Sequence, residues 1–252
     1  MLTVTILVFT TLAIKGGAYV YYFDNYVDEA TLTVIISPIT NFLSSIGMNF
    51  FGTNPLSAGF GLFNAGGIIF MLVGIGISKK LADKYGKRDV YQYGLFVSTI
   101  FMLIFVFFSP KSVLLIFGSQ ILHGFFYGIT IPILWAMIAD VADFSEWKTN
   151  RRATAIIFSA MMVGLKAGLS IGGALVAWIL GLYGYISHEE AEGVAVITQP
   201  ESVAQGAKML ISVFASIPFI ISFILLYFYE INKTKEVQIE MELKARRGEV
   251  AS

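Results

Sequence analysis

Six runs of predominantly apolar residues, at 2–23, 57–78, 90–108, 112–139, 153–183 and 208–229, dominate this 252-residue chain. About 20 such residues wound as a helix cross a hydrocarbon layer about 30 Å thick. Lipid offers no hydrogen bonds to a backbone, so each run must satisfy its own amides as a helix. The expected fold is all-α: a polytopic membrane protein with a six-helix bundle over 1–229 and a cytoplasmic tail over 230–252. Composition agrees, because 56% of the residues are hydrophobic and only 13% charged, against roughly a quarter charged in soluble domains. Cysteine is absent, which removes disulfides, thiol nucleophiles and thiolate metal sites. A net charge of zero gives no footing for nucleic acid. The first run lacks a basic lead-in and a small-residue cleavage site, so it is expected to remain as a span.

Charge asymmetry sets the expected orientation. Lys79, Lys80, Lys84, Lys87 and Arg88 follow span two, Lys148, Arg151 and Arg152 follow span four, and Lys233, Lys235, Lys244, Arg246 and Arg247 follow span six. The alternate loops hold Asp24, Asp28, Glu29, Glu189, Glu190, Glu192 and Glu201, with little basic charge. Basic loops stay in the cytoplasm, so both termini are expected there, in a plasma or inner membrane. The stretch 30–51 is apolar but interrupted by Pro38 and Asn41; an interfacial or re-entrant segment on the outer side is expected rather than a seventh crossing. In the tail, Glu240/Lys244 and Glu242/Arg246 stand four apart, as on a short solvated helix near the membrane surface.

Several residues are out of place in plain anchors. Lys166 lies near the middle of span five, where a charge costs roughly 2.5–3.5 kcal/mol on insertion scales. Ser159 and Ser170 share its helical face, and Gly164, Gly168 and Gly172 form a stripe that admits a close helix neighbour. No Asp or Glu lies deep in any span, so the partner of Lys166 is a substrate, an ion-linked site or a carboxylate on another polypeptide. In span one Lys15 precedes Gly16 and Gly17, a pair that weakens the helix where it bends or opens. Tyr19 and Tyr22 nearby suit either an interfacial belt or a sugar-stacking surface. Span four sets Gln120, Tyr127 and Trp135 along one face with His123 close by, a polar and aromatic lining suited to sugar hydroxyls and ring faces; ordinary interhelical hydrogen bonding is the alternative. His123 has no ligating neighbours at useful spacing, so no metal site is expected. The loop residues Asp140, Asp143 and Glu146, with Lys84, Arg88, Lys148, Arg151 and Arg152, are candidates for a cytoplasmic gate of ion pairs made in one conformation and broken in another. No catalytic set appears, so an enzyme is not expected.

The run "WAMIADVADFSEWKTNRRATAIIF" followed by "LKAGLSIGGALVAWILGLYGY" resembles the glycoside–pentoside–hexuronide:cation symporter family, melibiose-carrier relatives within the major facilitator superfamily. "YYF" at the end of span one and "KYGKR" after span two are similar to that family's seventh helix and to its loop between helices eight and nine. The resemblance covers nearly the whole chain but only the C-terminal six of the family's twelve helices. It implies that Lys166 corresponds to the family's eleventh-helix lysine in the cation and sugar pathway. Asp140, Asp143, Glu146, Lys148 and Arg152 would belong to the charged loop between helices ten and eleven, Trp135 to the tenth-helix aromatic region, and Lys15 to a basic position in helix seven. Met162 stands where the melibiose carrier has a hydroxyl residue, which favours a proton over sodium without excluding either. The implied function is H⁺- or Na⁺-coupled symport of a sugar or glycoside by alternating access, with no organic cofactor. The family's cation-binding carboxylates belong to an N-terminal six-helix half, expected as part of one longer chain, as a separate chain, or replaced by a second copy. Alternatives are a lysolipid carrier of the same fold and an accessory membrane subunit without transport.

Overall fold

The computed structural model describes residues 1–47, 54–187 and 198–248; Glu189, Glu190 and Glu192, the end of the 30–51 segment and the last four tail residues lie outside them. The described residues fold entirely as helices and connecting turns, and six stretches are long and apolar enough to cross a membrane: Leu2–Asn25, Pro55–Tyr85, Lys87–Phe107, Val113–Thr149, Thr154–Leu182 and Glu201–Phe228. They correspond one for one to the six expected spans. Two run well beyond their apolar cores, because the polar residues after span two and span four continue the helix.

Helix α1 (Leu2–Asn25) passes through the Gly16–Gly17 pair without a break. The expected weak point is an uninterrupted helix. Helix α2 (Glu29–Ser45) occupies the ambiguous segment. Asp28 caps it by accepting from the Thr31 amide at 2.9 Å, satisfying one of the orphan N–H groups of the first turn. At 17 residues it is about 25 Å long, short of a full crossing. It buries Leu32 and Ile36 and leaves Val34, Ile39 and Phe42 exposed.

Helix α3 (Pro55–Tyr85) ends at Gly86, whose φ of 94° suits glycine. Helix α4 (Lys87–Leu103) starts at once on the other side, so the pair forms a tight hairpin. Both pack on α5 (Val113–Thr149), which contains Pro132 and stops at Asn150 in the left-handed region. The α3–α5 crossing is built from backbone against backbone. A Cβ on Gly124 would collide with the Gly67 carbonyl, one on Gly128 with that of Met71, and one on Gly74 with that of Phe125. Helix α6 (Thr154–Leu182) docks on α1 through the expected stripe: added Cβ atoms on Gly168 and Gly172 would strike the Ile6 and Thr10 carbonyls. Small residues at both crossings allow the close approach on which helix association in lipid depends.

The sixth span divides into α7 (Glu201–Met209), a wide π turn at Leu210–Phe214 and α8 (Ala215–Leu225). Pro218 cannot donate to the Phe214 carbonyl, and the widened turn ends at Phe214, one helical turn before the proline. The Ser212 and Ser216 hydroxyls donate to the Lys208 and Ser212 carbonyls at 2.6 and 2.5 Å. The tail forms α9 (Lys233–Arg246). Both expected four-apart pairs close, Lys244–Glu240 at 2.8 Å and Arg246–Glu242 at 3.8 Å. The helix is not simply solvated, however. Ile239 and Leu243 are buried with Ile231 against Val141, Phe144 and Trp147 at the far end of α5. An apolar pair four apart on one face made that docking possible.

Candidate functional site

Span one and span four contribute most of one cavity of about 180 Å³ between α1, α3 and α5. Lys15 and Tyr19 enter from α1, Gln120, His123 and Tyr127 from α5, and Asn64 from α3. Spacings of four, three and four along these helices put each set on one face. The crossing glycines Gly67 and Gly124 form part of the same wall.

The polar groups there are partly committed. The Tyr19 hydroxyl donates to Gln120 Oε1 at 2.6 Å, and its ring meets Phe63 edge-on at 4.7 Å. His123 Nδ1 lies 2.9 Å from Ser98 Oγ and 3.1 Å from the Ser98 carbonyl, which holds the ring. His123 and Tyr127 stack with centroids 6.0 Å apart and planes 4° from parallel. Lys15 is only 6% exposed. Its ammonium sits 5.2 Å over the Tyr19 ring, a cation–π contact of the kind strengthened by desolvation. Among the described residues it has no carboxylate partner. A buried cation without a counter-ion is costly, so the cavity is poised to receive an acceptor-rich or anionic group.

Lys166 does not join this cavity. It is exposed on α6, as are Ser159 and Ser170, and no ion pair or hydrogen bond holds it among the described residues. The glycine stripe turns the opposite face of α6 toward α1, which is why the lysine face points away. Tyr22 is fully buried, stacked on Tyr26 at 5.1 Å, and its hydroxyl has no partner among the described residues. It lies in the core rather than on a cavity wall. Trp135, eight residues beyond Tyr127, is partly buried against the core and outside the cavity.

The expected gate residues gather at one end of the bundle, some paired with one another and others with Lys87 and with residues of the tail helix. Asp140 pairs with Lys87 at 2.6 Å, and the same ammonium reaches Glu236 of α9 at 2.9 Å. Glu146 takes Arg247 at 2.7 Å. Arg152 lies 3.7 Å from both Asp143 and Glu146. The Trp147 indole donates to Glu242 at 2.6 Å. Lys148 rests over the Phe144 ring at 5.5 Å and Lys84 over that of Tyr85 at 5.0 Å. Arg88 donates to the Tyr227 carbonyl at 3.3 Å, while Arg151 is exposed. Outside the spans, hydrogen bonds from Gln238 and Trp147 hold the Glu242 carboxyl below the ordinary glutamate range, and Thr31 does the same for Asp28.

Sequence reasoning passed over Asn64, Ser98 and Lys87. An Asn in the apolar run "LFNAGG" was a signal for the first. Lys87 was visible only as one of five basic residues whose sum sets orientation. The tail residues Glu236, Glu242 and Arg247 gave no hint of their partners.

Residues 32–233 match the family model described as MFS/sugar transport protein. An uncharacterized 29.9 kDa protein of Pseudescherichia vulneris is 29% identical over 76% of this chain and 68% of its own length. A candidate glycoside/cation symporter of Escherichia coli K12, YagG, is 32% identical over 68% of this chain and 36% of its own length. The glucuronide carrier protein homolog of the same strain is 26% identical over 74% and 40% respectively. The chain thus spans well under half of the two relatives named for transport. With six membrane-spanning helices and a match over most of its length, this chain is a multi-pass membrane protein, a transporter-family member and not an enzyme, and it belongs to the MFS/sugar transport protein family.

Proposed function

We propose that this chain supplies the C-terminal half of a proton- or sodium-coupled symporter for a sugar or glycoside. Basic loops and both termini would face the cytoplasm of a plasma or inner membrane. The observation that carries the reading is the Lys15 cavity, where an uncompensated ammonium, two amides, an imidazole and two phenol rings converge. Such a set hydrogen-bonds hydroxyls and stacks on ring faces. The exposed Lys166 face of α6 would meet the other six-helix half, with substrate held between the halves and exposed alternately to each side. Lys166 would couple the cation to the sugar through charge on that half, and the ion pairs around Asp140, Glu146 and Arg152 would make and break with the conformational change.

The test is glycoside uptake into proteoliposomes under an imposed proton or sodium gradient. The chain would be co-expressed with the N-terminal six helices of a relative. Lys166→Ala is expected to abolish gradient-driven uptake and leave insertion intact; unchanged coupled uptake would overturn the role.

One observation favours a narrower substrate. Lys15 lacks a carboxylate partner while the other groups around it are neutral, so a glycoside bearing a carboxylate or sulfonate satisfies the cavity better than a neutral one. Competition between a glucuronide, its neutral glucoside and a lysophospholipid separates the three. Stronger competition by the lysophospholipid would move the assignment to lipid transport.

A further inference from the structure

A cavity of about 650 Å³ opens between α1 and α6, far from the charged cluster. Met1, at the start of α1, lies with Val141 and Phe144 beside that cluster, so Asp24 and Asn25, at the other end of α1, stand on the opposite side of the bundle. The two helices touch at the cavity floor, where a Cβ on Gly17 would lie 3.4 Å from Val176. Above the floor the Tyr21 and Tyr185 rings meet edge-on, with centroids 5.1 Å apart and planes at 83°. The turn that carries Tyr185 is fastened: Gln199 accepts from the Ile186 amide at 3.0 Å and donates to its carbonyl at 2.8 Å. A ring already held in place costs a ligand little ordering. Gly17, Tyr21 and Asp24 leave α1 on the side away from Lys15 and Tyr19, and the two cavities share no lining residue.

The chemistry of this pocket differs from that around Lys15. Asp24 is exposed and makes no ion pair or hydrogen bond among the described residues. Burial first, then the neighbouring Tyr21 and Asp24 groups, raise the Tyr185 phenol above its ordinary range, so the carboxylate and the phenols border one space. Asn25 donates to the Tyr21 carbonyl at 2.9 Å, which engages only its amide nitrogen. No basic residue is among those lining the pocket. The carboxylate and the amide oxygen accept, the phenols donate and accept, and the rings offer apolar surface. A sugar ring meets all three, since each hydroxyl both donates and accepts. An alkylammonium brings donors alone, and an anionic group sets a like charge beside Asp24. Gly173 and Ala177 stand seven and eleven residues beyond Lys166, on its open face and about 10 and 16 Å farther along α6.

We propose that this pocket is a second, outer sugar subsite that holds a neutral glycosyl ring on its way to or from the Lys166 face. Asp24 accepts from two ring hydroxyls, and the C–H face of the sugar lies on Tyr185. The inference rests on the sugar-transport reading and its orientation, and divides the recognition in two: an uncharged ring here, a charged end at Lys15.

Ligand protection of a single thiol tests it, because the chain has no cysteine of its own. Ala177→Cys, on the pocket wall, is labelled with a maleimide in the purified full chain. Leu182→Cys, 70% exposed and outside the pocket, is the control. Methyl glucoside at about ten times its Kd should slow labelling at 177 about tenfold by mass action and leave 182 unchanged. The surface change Asp24→Asn should raise the glucoside concentration needed about tenfold, the scale of one charge-assisted hydrogen bond. No slowing at 177, equal slowing at 182, or protection unmoved by Asp24→Asn would each overturn the proposal. So would stronger protection by ethanolamine or by methyl glucuronide. Labelling is read with no gradient imposed, so it reports on the pocket whether or not uptake is coupled. Gradient-driven glycoside uptake without protection at 177 would overturn the subsite and leave the transport reading standing.

Discussion

Lys15 and Lys166 are both ammonium groups in the middle stretches of membrane-spanning helices, yet their surroundings are opposite. Lys15 is enclosed between three helices and leans on an aromatic ring. Lys166 stands on the open face of an edge helix whose glycine stripe is spent on α1. Burial of a charge follows from which helix faces are already used for packing, and not from depth along the span. A lysine on the inner helix is fixed by this chain's own fold; one on the edge helix takes its environment from whatever comes next to it.

The comparison breaks most easily at the packing that creates it. Gly128→Leu forces a side chain into the Met71 carbonyl, where neither backbone can yield. Loss of the folded species in detergent is expected, beyond the roughly 1–3 kcal/mol of ordinary overpacking. Gly173→Leu, on the open face of α6 with nothing within 4 Å, should unfold at the wild-type temperature. If both variants behave alike in thermal unfolding, the distinction between inner and edge helices fails.

Accessibility sharpens it next. The chain has no cysteine, so Lys15→Cys and Lys166→Cys can be compared cleanly. A membrane-impermeant maleimide should label position 166 about tenfold faster, since thiol reactivity follows exposure. Equal and slow labelling would place Lys166 against lipid; equal and fast labelling would mean the Lys15 cavity is open to water.

A smaller effect is expected at Tyr19. Removing its hydroxyl leaves buried Gln120 without its donor, and Tyr19→Phe should cost about 1–3 kcal/mol in unfolding free energy. The smallest concerns the tail. The Glu242 carboxyl is held below its ordinary value of 4.5 by hydrogen bonds from Gln238 and Trp147. A depressed carboxyl stabilises the docked form above its unfolded pKa, and that contribution disappears as pH falls through the folded value. Trp147 fluorescence should therefore stay constant near neutrality and change only below about pH 4.5, the ordinary glutamate value; Glu242→Gln should remove that step.

The six spans were legible because hydropathy over 20 residues leaves a chain few alternatives. The α6 stripe was legible too, since a repeat of four carries its own geometry. Lys15, Gln120, His123 and Tyr127 each stood out as polar or aromatic in an apolar run. That α1 and α5 bring them to one cavity depends on a crossing that no local pattern encodes. Tyr19 and Tyr22 show the limit well: three residues apart and alike in type, one lines the cavity and the other is sealed in the core. The charged end was legible as a cluster, and Arg152 beside Asp143 and Glu146 as a pairing within it, but the long-range pairs were not. Lys87 lies 53 positions from Asp140, and charges four apart in the tail drew the eye from Ile239 and Leu243 on its apolar face.

Helix α5, at 37 residues, is about 55 Å long, nearly twice the thickness of the hydrocarbon layer. Its continuity makes it a lever. From Tyr127 to Glu146 is an arm of about 28 Å, so a tilt of about 10° at Tyr127 sweeps the far tip through about 5 Å. That displacement exceeds the reach of a hydrogen bond. Rearrangement of the Lys15 cavity would thus be felt at Glu146 and Trp147, where α9 is fastened. The tail is then a gauge of the membrane-embedded site, readable from outside the bilayer by Trp147 fluorescence once Trp135 and Trp178 are replaced by Phe.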